Sequence, residues 1–341
     1  MQTELEKLVS LYRELGIDRQ IDYDKFYLYS LITHSTAIEG STITELENQI
    51  MFDQGVSLKG KSISEQNMNL DLKNAYEYAI RLVRAHTDFT IDVLKELSAI
   101  VMRNTGQEYK TVLGDFSSAK GELRLLNVTA GVGGKSYMNY SKIPARLAEL
   151  CAWLNEERKG YAGKSIAQLY RFSFDAHYHL VTIHPWADGN GRMARLVMNM
   201  LQFEFGLIPT KILKEDKEEY IKALVETRES DDLNVFRGFM ASTMIKNLAQ
   251  DIDAYRTSIE EPSISWEKTV KGGDKKMKSR EKIIVLLSED NTLSAAALAW
   301  RIGISPKAVE KHIAKMKADG VLKRVGPDKG GHWQVLIVSK I

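Results

Sequence analysis

The segment Asp188-Gly189-Asn190-Gly191-Arg192, set between two helical patterns, constrains this chain more than any other. Upstream, residues 165–180 read as a helix. Downstream, Met193, Leu196, Val197, Met200 and Leu201 recur at helical spacing until Gly206 provides a stop. One helix must therefore end and another begin within a few residues. Gly189 and Gly191 lack Cβ atoms, so the backbone there can approach a ligand closely. The opening turn of a helix leaves N–H donors unpaired and carries partial positive charge. Together these features predict an anion site, and phosphate is the natural occupant.

The flanking residues supply matching chemistry. Arg192 and Arg195 lie three apart, close to one face of the first helical turn. Asp188 offers a carboxylate of the kind that shares Mg²⁺ with nucleotide phosphates. His184 offers a base that can be neutral near pH 7. Each feature alone is also common in ordinary loops and cores. Their convergence within twelve residues favours function. His177 and His179 make a poor metal cluster, because two residues apart on a helix they point to different faces. Core or capping roles fit them better.

Around this segment the chain reads as mainly α. Leu72, Ala75, Tyr76, Ala79, Ile80 and Val83 form one apolar stripe, and Thr90 caps a helix carrying Leu94, Leu97 and Val101. Pro144 opens a helix whose stripe includes Cys151, the only cysteine, which reads as a small buried hydrophobe. Residues 114–140 are rich in Gly and Ser, with a β-favouring stretch from Leu123 to Thr129. They read as an exposed loop or hairpin. Further helices are expected near 216–228 and 233–256, followed by a linker over 257–278. From Lys276 onward there are 13 Lys/Arg against 6 Asp/Glu, a surplus of +7. With a net charge of +2 for all 341 residues, the first 275 stand at −5. A basic terminal module on a mildly acidic body follows. No apolar run approaches the roughly 20 residues of a membrane span. The charged N-terminus does not read as a signal peptide, and a single cysteine fits a reducing, cytoplasmic setting.

The run His184-Pro185-Trp186-Ala187-Asp188-Gly189-Asn190-Gly191-Arg192-Met193-Ala194-Arg195 resembles the signature of the Fic (Fido) family, with nine specified positions matched. The resemblance covers roughly residues 35–250. It implies a helical core with a small β-hairpin flap and transfer of AMP from ATP, with Mg²⁺, to a Ser, Thr or Tyr hydroxyl of a protein, the chain itself included. It further implies that His184 is the general base and Asp188 the Mg²⁺ ligand. Gly189, Asn190 and Gly191 would cradle phosphates, Arg192 would hold the β phosphate and Arg195 the γ phosphate. Trp186 stands where Phe is commoner. The kinase-like branch of the family has Ala and Lys where this chain has Gly189 and Gly191, which favours AMP over phosphate transfer. Tyr220 resembles a position near the adenine, with core packing as the other reading. Leu123, Arg124, Leu125, Leu126, Asn127 and Val128 fall where the flap docks an extended target segment by strand addition. An ordinary surface hairpin is equally compatible.

Ser35-Thr36-Ala37-Ile38-Glu39-Gly40 matches the family's inhibitory motif at Ser35, Glu39 and Gly40. The resemblance implies that Glu39 pairs with Arg195 and denies the γ phosphate its partner, or orients water for AMP removal. Residues 279–341 resemble a winged helix-turn-helix domain, with Ser294 and Ser305 as N-caps. Lys307, Lys311, Lys315 and Lys317 lie on the recognition helix. DNA and protein contacts both fit it. The expected organisation is an N-terminal helical region over 1–110 carrying the inhibitory helix, a Fic core over 111–256, the linker and the winged helix. Homodimerisation is a further expectation from the family. A DNA-binding regulator with a nucleotide-sensing Fic domain is the competing function.

Overall fold

The computed structural model describes residues 3–129, 135–260, 279–289, 291, 293–302, 305–326 and 332–336. They fall into two compact units, Met1–Glu260 and Glu261–Ile341. In the first, the order is α1 (Glu4–Glu14), α2 (Tyr23–Ile38), α3 (Glu45–Gln54), α4 (Ile63–Arg84) and α5 (Ile91–Val101). A hairpin of β1 (Glu108–Thr111) and β2 (Gly114–Ser117) follows. Then come α6 (Ile143–Lys159), α7 (Ile166–Ile183), α8 (Asn190–Glu204), α9 (Lys217–Ser230) and α10 (Leu233–Glu260). Helix starts follow local chemistry. Thr3/Glu6, Thr44/Glu47, Ser62/Glu65 and Ser165/Gln168 form reciprocal capping boxes at α1, α3, α4 and α7. Thr90 caps α5 through the Val93 N–H, as expected.

Helix α8 lies at the centre of this unit and packs along α7 and α4. Twelve of its fifteen residues are buried, including Arg192–Gln202 without interruption. A helix buried on all faces must satisfy its polar side chains internally. Tyr76 donates to Asn199 Oδ1 at 2.6 Å, and the Gln202 carboxamide binds both Ser173 and Thr210. A bidentate Arg158–Glu204 pair at 2.7 Å joins α6 to the end of α8. One hydrophobic core runs from Leu5 to Ile252. Position 110 therefore marks no break in packing.

Two expectations need correction. The strands lie at 108–117, upstream of the β-favouring stretch, and none forms within 123–128. There, Thr129 and Ser136 make a single antiparallel bridge, and Tyr137 N–H reaches Val128 O at 2.9 Å. The β-branched and leucine content of 123–129 gave a strand signal, but Leu126 O accepts from the Arg124 side chain and Arg124 N–H donates to Pro185 O in the loop before α8. The second correction concerns α10. It runs to Glu260, past the expected linker start at 257, because periodicity is not broken until the proline at 262. The remainder of the linker, 261–278, lies outside the described residues.

The second unit has α11 (Ser279–Glu289), α12 (Ala295–Ile302), α13 (Pro306–Ala318) and an antiparallel ribbon of β3 (Leu322–Val325) and β4 (His332–Val335). Ile283, Leu287, Leu298, Val309, Ile313, Met316 and Leu322 form its core. Val309, Ile313 and Met316 repeat at i, i+4 and i+7. The other face of α13 therefore carries exposed Lys307, Lys311, Lys315 and Lys317. Ser305 caps α13 through Ala308 N–H, and the expected wing turn at 327–331 lies outside the described residues.

Candidate active site

Helix α7 ends at His184, whose backbone is left-handed at φ 51°. A residue with a Cβ holds that conformation at a cost of roughly 1–2 kcal/mol, so surrounding contacts must impose it. The contacts are present. His184 N–H closes the last turn onto Leu180 O, and Trp186, fully buried, donates Nε1–H to Gly121 O at 3.0 Å. Asn190 then clamps the loop, accepting from Trp186 N–H and donating to Trp186 O. The asparagine side chain thereby holds the loop closed, and its backbone N–H stands at the helix start.

Gly189 adopts φ +82° and precedes α8 without a side-chain cap. The first N–H bonded within the helix is Met193 to Gly189 O. Those of Asn190, Gly191 and Arg192 are the free donors of the helix start. Gly189 is needed for its left-handed backbone, while a Cβ at either position would press on a movable side-chain end. A Cβ at 189 would meet Met102 Sδ at 2.7 Å, and one at 191 would meet Glu39 Oε1 at 2.7 Å. Asp188 is exposed. Its Oδ1 accepts from Gly189 N–H and lies 3.7 Å from Arg192.

The arginines are both buried but differently partnered. Arg192 Nη2 contacts Met102 Sδ at 3.0 Å, and its Nε is buried without a partner. An unsatisfied buried guanidinium nitrogen beside a helix start is the signature of an anion site. Arg195 is engaged through Nε and Nη2. Nε donates to Ser35 Oγ at 2.8 Å, and Nη2 donates to Ser35 O at 2.9 Å and Glu39 Oε1 at 2.5 Å. Burial pushes the Glu39 carboxyl up, but the charge and hydrogen bond of Arg195, with Arg192 and Lys217 behind, bring it below its ordinary value. A polar network seats this helix end: Asn69 and Asn48 bind Thr36, Thr33 and Ser41. Ser35 and Glu39 thus reach Arg195 from α2 and its C-terminal cap, and Gly40, at φ +104°, turns the chain away.

The His184 imidazole is held in its neutral form. Burial drives its imidazole down to about 4; the Val181 carbonyl, Asp188 and Glu39 oppose this, and Arg124 assists it. Nδ1 lies 3.3 Å from Val181 O, which can only accept. Nδ1 therefore carries the proton, and Nε2 keeps its lone pair. Tyr137 stacks on the ring at 3.7 Å between centroids, and the Arg228 guanidinium lies over the Tyr137 ring at 5.5 Å.

Residues 88–202 match the Fic/DOC family, and residues 278–323 match a winged helix-turn-helix DNA-binding family. Residues 88–202 form a Fic/DOC-family domain. A protein adenylyltransferase Fic of Culex quinquefasciatus is 31% identical over 228 residues, 67% of this chain and 42% of that protein. Protein adenylyltransferase fic-1 of Caenorhabditis briggsae is 27% identical over 260 residues, 74% of this chain and 47% of that protein. The chain thus spans less than half the length of these curated relatives. A solved structure of Fic-1 from C. elegans, residues 134–508, superposes with a TM-score of 0.59 at 25% identity, covering 75% of this chain and 72% of that one.

Within the Fic domain, the structure gathers His184, Asp188, Gly189, Gly191, Arg192 and Arg195 at one helix start, with Ser35 and Glu39 against Arg195. It moves two others. Tyr220 is buried among His177, Phe236 and Phe239, and its hydroxyl lies 3.0 Å from His177 Nε2 and in contact with Arg195. Its ring is a core element and offers no free face for a base to stack on. His177 is likewise a neutral core histidine, held down to about 3 by burial. Arg124, counted among the docking residues, is 1% exposed and points inward. Sequence reasoning also missed Tyr137 and Met102, which carry no motif and reach the site only through the fold.

Proposed function

We propose that this chain is a protein adenylyltransferase that moves AMP from ATP to a Ser, Thr or Tyr hydroxyl, on a partner or on itself, and that Glu39 holds it in check. The observation that carries the reading is the pairing of a proton-free His184 Nε2 with the free N–H groups of the α8 start, backed by Arg192 with its unpartnered Nε. His184 Nε2 takes the proton of the target hydroxyl. The hydroxyl oxygen bonds to the α phosphorus as the bond from phosphorus to the bridging oxygen breaks, and pyrophosphate leaves. The N–H groups of residues 190–192 and the two arginines stabilise the negative charge that grows on the phosphates. The site fits Mg²⁺ in the usual nucleotide manner. Asp188 is the exposed carboxylate there, and no cluster of three metal-ligating side chains exists among the described residues. Bound there, Mg²⁺ would neutralise phosphate charge.

With Arg195 engaged by Glu39, a γ phosphate meets an occupied guanidinium, which supports autoinhibition. The test is intact-mass spectrometry of the protein incubated with ATP and Mg²⁺. An AMP adduct on Glu39→Gly that disappears in Glu39→Gly/His184→Ala is expected. Adduct formation independent of His184 would sink the mechanism. If an AMP-modified protein instead loses AMP in the presence of Glu39, the hydrolase reading takes its place. The exposed lysine face of α13, together with the winged-helix match, supports a separate activity: binding DNA through phosphate contacts.

A further inference from the structure

We propose that Arg124 is a positioning residue that registers the flap segment against the catalytic base. The proposal rests on the adenylyltransferase reading for its kinetic consequence, though not for its geometry. The Arg124 guanidinium has neutral partners only. Nε donates to His184 O at 2.8 Å, Nη1 to Leu126 O at 2.6 Å and Nη2 to Met138 O, while its backbone N–H donates to Pro185 O at 3.0 Å. The guanidinium fork joins three places, and the main-chain N–H of the same residue adds a fourth. Two belong to the strained turn that carries the base. The other two, Leu126 and Met138, lie on the two arms of the segment that brackets residues 130–134.

This arrangement has two consequences. The first is geometric. The segment that would present a target hydroxyl and the histidine that would deprotonate it take their positions from the same planar group. Guanidinium alone among cationic side chains offers donors in such a fixed fork. The second is electrostatic. Among the described residues no carboxylate is bonded to Arg124, so its charge adds to burial in disfavouring the imidazolium form of His184. The other groups facing His184 are Asp188 from the loop, Glu39 from the end of α2, and Tyr137, with Arg228 of α9 behind it. Asp188 and Glu39 oppose Arg124, and Glu39 would cease to do so once displaced from Arg195.

The experiment uses full-length protein carrying Arg124→Lys or Arg124→Met, each made with and without Glu39→Gly. Lysine keeps the charge and loses the fork; methionine loses both. In the Glu39→Gly background, Arg124→Lys should lower AMP transfer on the order of 100-fold, the scale of an ångström misplacement. ATP affinity by calorimetry should not change, because Arg124 touches none of the helix-start donors. By NMR of isotope-labelled histidine, His184 should titrate at higher pH in Arg124→Met than in the native protein, and Arg124→Lys should stay near native. Native transfer rates in Arg124→Lys, loss of ATP affinity in step with transfer, or an unmoved His184 titration in Arg124→Met would each overturn the proposal. If Glu39→Gly with native Arg124 forms no adduct, the adenylyltransferase reading fails by itself. The His184 titration then still decides the role of Arg124.

Discussion

Replacing Glu39 by glycine releases Arg195, and the size of the effect can be worked from the contact. The lost interaction is one charge-assisted hydrogen bond, at 2.5 Å, to a guanidinium only 4% exposed. Such bonds contribute about 1.5–3 kcal/mol when shielded. The Glu39 side chain keeps 34% of its surface, so screening reduces this to roughly 1–2 kcal/mol. On the proposed reading, ATP displaces that contact to place its γ phosphate on Arg195. Removing it should therefore raise productive occupancy, and the initial rate at sub-saturating ATP, about 5- to 30-fold. Glu39→Gln, which keeps shape and loses charge, should fall between. The assay is incorporation of labelled AMP, with thermal melting alongside. Without nucleotide, Glu39→Gly should melt lower than native, since Arg195 keeps Ser35 but loses its counter-charge. With ATP it should gain more than native does. Equal rates for native and Glu39→Gly protein across ATP concentrations would refute the reasoning. So would a nucleotide-induced melting shift that the substitution leaves unchanged.

Other outcomes follow from the same contacts. His184→Ala should abolish transfer yet keep ATP binding, measured by calorimetry, since the imidazole makes none of the phosphate donors. The folded imidazoles of His184 and His177 titrate near 4 and 3, below the unfolded value of 6.5, so they remain neutral through the working range. Their contribution is whole above pH 6.5 and is lost as pH falls toward those values; melting midpoints measured downward from pH 7 should decline, and less steeply in His184→Ala. Glu204→Ala leaves Arg158 buried without its carboxylate and should cost about 3–5 kcal/mol in urea unfolding, with ATP affinity unchanged. If α13 contacts DNA phosphates, Lys311→Ala should weaken binding by the intact chain and reduce the salt slope by about 1, as read by fluorescence anisotropy over a salt series.

Local pattern was enough for some of this protein. The apolar stripes on either side of Gly189 and Gly191, the capping residues Thr90 and Ser305 and the spacing from His184 to Arg195 are all short-range facts. Helix geometry converts them directly into a helix start with a base before it and two arginines within it. The helix period also put Ser35 and Glu39 on one face. Tertiary structure decided everything that depends on what lies across the chain. Arg195 meets Glu39 because α2 packs against α8, 156 residues away in sequence. Tyr220 became a core residue because Phe236 and Phe239 of α10 close over it. Arg124 turned from a surface docking residue into a buried fork because three carbonyls, from His184, Leu126 and Met138, converge on one point. Periodicity records which side chains face inward. It holds no record of which distant backbone oxygens will be waiting there, and that convergence sets both the strain at His184 and the charge around it.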